Sequence, residues 1–342
     1  EKDLDIILEM GIKKKIPIII GSSGGAGAKK HVNDTLDILK AIIRRNSYQA
    51  KVAVIWSDIK HEDVVEAIDK NKIKPLSPNI HPLTKTRVSE TSSIVAQMGH
   101  GPIIEALNEG VDIVVCGRAY DPSPFASIGI YHGFDEGLSY HLGKILECGA
   151  LCAEPGTTKD SIVGTLYNNH FTVESLNPER TCTVTSVAAH TFYEKEHPYL
   201  LHGPGFLLDL SSCTFDEMSP GVIKVMNSKY IPSDKFWIKL EGASKVAYRS
   251  FVVAGIRDPL LIQNLEVVEK AVVEQVEEYY PEVNRKDFDI NFYHYGKNAV
   301  LGHKESQPFR GHEVGVLFEV LASSQELADT ICCGVNYDAE LR

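Results

Sequence analysis

Arg118 and Asp121 stand three residues apart in GRAYDP, 117–122, directly after the apolar run VDIVVC at 111–116. A guanidinium delivered by the end of a strand suits two-pronged recognition of a carboxylate. Asp121 is placed to act as a general base, to orient Arg118, or to cap a helix that Pro122 would open. A second polar loop, GSSGGAG at 21–27, also leads from a strand to a helix. Its Ser22, Ser23, Gly24 and Gly25 allow a tight turn with exposed backbone N–H groups, an arrangement that binds carboxylate or phosphate. The same composition also serves a plain turn that needs backbone clearance. The glycine spacing fits neither G-x-G-x-x-G nor G-x-x-x-x-G-K-[ST], so neither a nicotinamide cofactor nor a nucleoside triphosphate is expected there. Ser57–Asp58, after the apolar run KVAVIW at 51–56, occupies the equivalent place with a weaker signal.

Candidates for moving a proton lie further along. Glu147 sits in an otherwise apolar stretch, LGKILECGA at 142–150, read as a helix, and an acid there needs a reason. Its neighbour Cys148, one turn from Cys152, reads as packing, because no base or cation accompanies it in sequence. His190, Glu194 and His197 recur at i, i+4 and i+7. One helical face would carry them, either as a polar surface or as ligands of a divalent metal. His190, beside Ala188 and Ala189, is the stronger single candidate, and Arg180 in the preceding turn is a second anion contact. Tyr248 and Arg249 follow Lys245 around a turn into a strand. They either close over a ligand or make ordinary polar contacts between domains. His294 and the following GKN complete the set at lower weight.

Positioning these residues takes strands and helices in alternation. IPIII (16–20), KVAVIW and VDIVVC are nearly continuous in apolar character, the pattern of strands buried on both faces in a parallel sheet. Helices are expected over Asn33–Arg45, His61–Lys70 and Val88–Met98. The fold class is therefore α/β, with a mostly parallel, doubly wound sheet in the N-terminal half. In such a sheet the loops after the strands line one crevice, where ligands bind. The turn-rich AEPGTTKDSIVG (153–164) sets a boundary between an α/β domain at 1–160 and an α+β domain at 161–342. In the second half a hairpin is expected in GTLYNNHFTVESL, and a short helix in TSVAAHTFYEKE, stopped before Pro198. Strands FLLDL, VIKVM, FWIKL and YRSFVVAG follow, then a long helix at about 259–279, strands DINFYHY and EVGVLFEV, and a last helix from near Ser324. This order is that of a split βαβ arrangement. The chain opens at Glu1 inside an amphipathic helix with Leu4, Ile7, Leu8 and Ile12 on one face. An α/β unit whose own first strand precedes this sequence is the expectation.

A length of 342 residues allows one large or two ordinary domains. Hydrophobic content of 43% with 24% charged residues is that of a soluble globular protein, and no apolar run nears the roughly 20 residues of a spanning helix. A net charge of −11 with no basic stripe speaks against nucleic acid and against an anionic membrane surface. Seven cysteines at irregular spacing fit a reducing compartment better than a disulfide framework.

Four segments carry a resemblance: GRAYDPSPF, HLGKILECGA, NPERTCTVTSVAAHTFYE at 177–194 and KLEGASKVAYRS at 239–250. In this order they are similar to the acyclic terpene utilisation family, the AtuA-like proteins. The resemblance implies a cytoplasmic protein of small-molecule catabolism, named for the breakdown of citronellol-type terpenes, and it implies no settled reaction. In proteins similar to this one a strand and a small-residue loop precede the point where this sequence begins. Two functional readings follow. In the first, Arg118 and the 21–27 loop hold a branched carboxylate or acyl-CoA thioester, with Arg180, Tyr248 and Arg249 as further contacts. Glu147, Asp121 or His190 then moves a proton near its carbonyl, as in hydration, dehydration or isomerisation. No cofactor is expected, a divalent metal at the His190 face aside. In the second reading the chain is a non-catalytic binding or scaffold subunit. Similar proteins are associated with a small ferredoxin-like domain, fused or separate, so a companion subunit is an expected partner, as is a second copy of this chain.

Overall fold

A computed structural model describes residues 1–192 and 197–340, the side chains of 336–340 apart. The fold is mixed α/β with several sheets, and the chain divides into two compact units, Glu1–Ser244 and Lys245–Arg342.

The first unit opens with α1 (Lys2–Lys14), β1 (Ile18–Ile20), α2 (Lys29–Arg45), β2 (Val52–Ile55), α3 (His61–Asp69), α4 (Lys85–Ser89) and β3 (Thr91–Ala96). It continues with α5 (Gly101–Asn108), β4 (Ile113–Cys116), α6 (Ser123–Tyr131) and α7 (Glu136–Leu146). Strands β1, β4 and β2 form a parallel sheet in that order, with Ile18 opposite Ile113 and Val52 opposite Ile113. The central strand β4 is buried along its whole length. Its alternate residues serve two layers. Ile113 and Val115 pack with Leu8 of α1 and with Leu36 and Leu39 of α2, while Val114 and Cys116 pack with Ile103 and Leu107 of α5. Each such side chain stabilises by roughly 1.5–3 kcal/mol on full burial. The expected large parallel sheet is met as far as these three strands.

The segment expected as a helix over Val88–Met98 is instead mostly β3. Only Lys85–Ser89 is helical, capped by Thr84, whose side chain accepts from the Arg87 N–H. The β-branched Ile94 and Val95 find a partner strand some 145 residues away, a pairing that local periodicity cannot report. Among the described residues, no helix is long and apolar enough to cross a membrane.

The rest of the first unit is mostly strands: β5 (Ala153–Glu154), β6 (Ile162–Leu166), β7 (Phe171–Ser175), β8 (Thr181–Cys182), then helix α8 (Val184–Thr191). After it come β9 (Leu200–Gly203), β10 (Phe206–Asp209), β11 (Thr214–Ser219), β12 (Val222–Met226), β13 (Lys229–Pro232) and β14 (Leu240–Ser244). The expected hairpin is β6–β7, inside an antiparallel sheet ordered β11-β12-β7-β6. Residues 153–164, chosen from sequence as a boundary, lie within this unit. Leu138, Leu142 and Ile145 of α7 share one core with Phe171, Val173, Ile223 and Val225 from beyond that segment. Of FWIKL only Leu240 is strand, because β14 begins there and pairs antiparallel with β3.

In the second unit β15 (Tyr248–Ile256) leads through α9 (Pro259–Gln263) and α10 (Leu265–Tyr279) to β16 (Phe288–Tyr295), β17 (Val314–Ala322) and α11 (Gln325–Glu340). Strand β17 lies antiparallel between β15 and β16. The outer two are thus parallel to each other and joined by the helices, which is the expected split βαβ order. The long helix expected at 259–279 is interrupted at Asn264, whose side chain donates to the Leu260 carbonyl at 2.7 Å and competes with the helical ladder.

Candidate active site

Four strand ends and one edge strand of the first unit meet at Arg118. It follows β4, and its backbone N–H donates to Ser57 Oγ at 2.6 Å, at the end of β2. Ser57 Oγ donates in turn to the Gly27 carbonyl at 3.1 Å. The two loops approach closely only because positions 27 and 117 lack side chains. A Cβ on Gly27, which holds φ +63°, would lie 2.1 Å from the Arg118 nitrogen, and one on Gly117 would lie 2.4 Å from Ser57 Oγ. The end of β3 joins through Met98, whose N–H donates to the Arg118 carbonyl at 3.2 Å and whose carbonyl accepts from Tyr120 N–H at 2.9 Å.

The guanidinium of Arg118 is 15% exposed and braced on several sides. Nε donates to Glu241 Oε2 of β14 at 2.7 Å, and Nη1 donates to Ser22 Oγ and to Asp121 Oδ1, both at 2.9 Å. Glu241 also accepts from Gln97 Nε2 and from Lys239 Nζ, each at 2.9 Å. Burial would raise the Glu241 carboxyl, but the hydrogen bonds from Arg118 and Lys239 outweigh it and hold the group below its usual range. The same carboxylates, set against burial, raise Arg118. Nη2 of Arg118 makes no hydrogen bond among the described residues. An incoming anion therefore meets one free nitrogen and not an open two-pronged fork.

The 21–27 loop bends through left-handed backbone at Ser22, Gly24, Gly25 and Gly27. Two of its N–H groups are used inside the turn, Gly25 to the Ser22 carbonyl and Gly27 to the Ser23 carbonyl. The following α2 is met at its start by a carboxylate of the protein itself, since Lys29 N–H donates to Asp58 Oδ1 at 3.1 Å. Ser23 Oγ and His31 Nδ1 are buried without a hydrogen-bond partner among the described residues. His31 packs directly over Gly24, where an added Cβ would lie 2.7 Å from the His31 Cβ.

Asp121 does not cap α6. That helix starts from Pro122 with no side-chain cap, while Asp121 turns back to Arg118. Glu147 is not inside a helix but caps the end of α7, where Gly149 turns left-handed at φ +60°. It is buried and ion-paired with Lys144. Burial, with the charges of Glu147, Tyr140 and Asp121 added, pushes the Tyr120 phenol well above the usual range. The strand thiol Cys116 is pushed up to about 12 by burial, so it is an inert core group.

The remaining candidates fall elsewhere. His190 is buried in α8, which ends at Thr191. Glu194 lies outside the described residues, and His197 Nδ1 accepts from the N–H groups of Tyr199 and Leu200. Helix α8 ends at Thr191, so it carries His190 alone of that triplet. Among the described residues, no three His, Cys, Asp or Glu side chains gather as a metal site. Arg180 is ion-paired with Asp160 and donates to the Pro155 carbonyl; it lines a depression of about 260 Å³ among residues 174–181 and 220–222. In the second unit Lys245 Nζ sits 3.1 Å over the Tyr248 ring, and Arg249 Nη1 meets Glu319 Oε1 at 3.2 Å. His294 there is buried against Glu269 and Asn298.

Sequence reasoning passed over Gln97, His100, Lys239 and Glu241. The acid of KLEGASK stood inside a quoted motif. QMGH was hidden by reading its strand as a helix end. His100 Nδ1 lies 2.8 Å from Tyr140 Oη, and Tyr140 stacks among Tyr120, Phe206 and Tyr230.

No curated protein matches this chain, and no solved structure does. The family model described as acyclic terpene utilisation family protein AtuA matches residues 1–336, nearly the whole sequence and every element around Arg118, and the chain therefore belongs to that family.

Proposed function

We propose that this protein is a cytoplasmic enzyme of acyclic terpene utilisation that takes a branched carboxylate or its acyl-CoA thioester and moves a proton beside the carbonyl, as a hydratase, dehydratase or isomerase does. The helix-covered parallel layer is taken as a doubly wound frame, with the ligand at the carboxyl ends of β1, β2 and β4. The observation that carries the reading is the convergence of those loops on one largely shielded guanidinium with a spare nitrogen. Arg118 Nη2, with Ser22, Ser23, Gly24 and Gly25 beside it, would take the anionic end. Among the acids and imidazoles first picked as proton carriers, Asp121 and Glu147 are each tied to a cation. Calorimetry with isovalerate and isovaleryl-CoA tests the reading. Arg118→Lys keeps the charge and loses the planar donor set, and should weaken binding by on the order of 1.5–3 kcal/mol, tenfold or more. Unchanged affinity would sink it.

A second reading, a binding or scaffold subunit, is favoured by one observation. Phe251, Val253, Tyr293 and Tyr295 are exposed on the second unit's sheet. A second copy of the chain or a small ferredoxin-like companion would be the occupant. Sedimentation of the wild type against Phe251→Ser decides whether that face holds a self-associated state.

A further inference from the structure

His100 has the surroundings of a working acid–base residue. It stands between β3 and α5, two residues beyond Met98, whose backbone is bonded on both sides to the Arg118 loop. Two residues of chain span at most about 7 Å, so the His100 backbone lies within that reach of Met98 and its bonds to the Arg118 loop. Its Nδ1 is 2.8 Å from Tyr140 Oη, and that hydroxyl is 3.4 Å from Ser123 Oγ. The ring packs edge-on to Tyr140 at 5.6 Å. Nε2 carries no hydrogen bond among the described residues and is not sealed from solvent. One nitrogen is thus held by a buried phenol while the other, on a half-buried ring, makes no hydrogen bond among the described residues, the division of labour that positions an imidazole for proton transfer. By contrast, the fully buried His141 has both nitrogens engaged, with Ser228 and Thr191.

We propose that His100 is a catalytic residue of this site, its Nε2 taking the proton that leaves the carbon beside the substrate carbonyl. The inference rests on the proton-transfer reading above and names the group that performs it. Nδ1–H donates to Tyr140 Oη, which donates onward to Ser123 Oγ, leaving the Nε2 lone pair as the base. The C–H bond breaks and an N–H bond forms. The electron pair moves onto the carbonyl oxygen as an enolate, and the imidazolium returns the proton when the enolate collapses. The enolate oxygen is left to Arg118 Nη2. Burial lowers the His100 value below the usual 6.5, against a raising charge from Glu136, which favours the neutral ring with its Nε2 lone pair free. The charged and titratable groups facing it are Glu136 and Tyr140 of α7, with Tyr120 and Tyr230 around the phenol.

The test uses isovaleryl-CoA in D2O, with deuterium entry at the carbon beside the thioester read by mass spectrometry. In parallel, diethyl pyrocarbonate labelling of the wild-type chain is mapped by peptide. Three results are expected. His100 is carbethoxylated and shielded by isovaleryl-CoA. His100→Gln exchanges at least about 100-fold more slowly than the wild type. Tyr140→Phe exchanges about tenfold more slowly, with its acid limb moved to lower pH, because the imidazolium loses an acceptor. The proposal is overturned if His100 stays unlabelled while the exposed His132 reacts, or if His100→Gln keeps wild-type exchange. The labelling is read on the wild type, so it stands whether or not the variant folds. Wild-type protein that exchanges nothing would overturn the proton-transfer reading itself, and His100 as its base with it.

Discussion

Two arginine–glutamate pairs in this chain have the same chemistry and opposite settings. Arg118 and Glu241 belong to the first unit; their side chains are 15% and 31% exposed, and they are cross-braced by Ser22, Asp121, Gln97 and Lys239. Arg249 and Glu319 lie on adjacent strands of the second unit, with the arginine 60% exposed and resting on Phe251. Sequence reading treated both arginines as anion contacts. Burial separates them. A guanidinium shielded from water keeps most of its electrostatic leverage on a ligand or a partner, whereas an exposed one is screened. The difference teaches that the loop network, and not the residue type, creates a candidate site.

The comparison can be broken most severely at Gly27. A valine there must hold a left-handed backbone and collide with the Arg118 nitrogen, so Gly27→Val should cost on the order of 3–5 kcal/mol. Urea unfolding would read this; a loss under 1 kcal/mol, on the scale of an unremarkable substitution, would show that the two loops separate easily.

Removing the arginines themselves should give a smaller and unequal pair of effects. Arg118→Ala leaves Glu241 with Lys239, and because that carboxylate is part-exposed the cost falls to about 1–2 kcal/mol, below the figure for a sealed pair. Arg249→Ala should stay within about 0.5 kcal/mol. Equal losses would remove the contrast between the two regions.

The smallest effect is the acid limb. The folded-state value of Glu241 lies below its ordinary 4.5, so its contribution is complete above that value and is lost as pH falls through the lower, folded one. Urea midpoints between about pH 3 and 6 should therefore fall less steeply for Glu241→Gln than for the wild type. Identical slopes would mean that Arg118 does not hold that carboxylate in its charged form.

Much of this protein was fixed by local pattern. The apolar runs at 16–20, 51–56 and 111–116 became three adjacent parallel strands, because residues hydrophobic on both faces must be covered on both. The Gly/Ser loop and the Arg118 loop came together as expected, since neighbouring parallel strands deliver their ends to one edge. The order of the last three strands was likewise readable from helix and strand alternation. Tertiary structure decided the rest. The β3 segment looked helical until β14 paired with it, and that single long-range pairing brings Glu241 to Arg118 and sets Gln97 against Glu241. Whether Arg118 was an open fork or a braced one depended on carboxylates three and 123 residues away. Side-chain spacing fixes what one element can present to a neighbour, but which neighbour it meets is set by chain packing at distances that no local window contains.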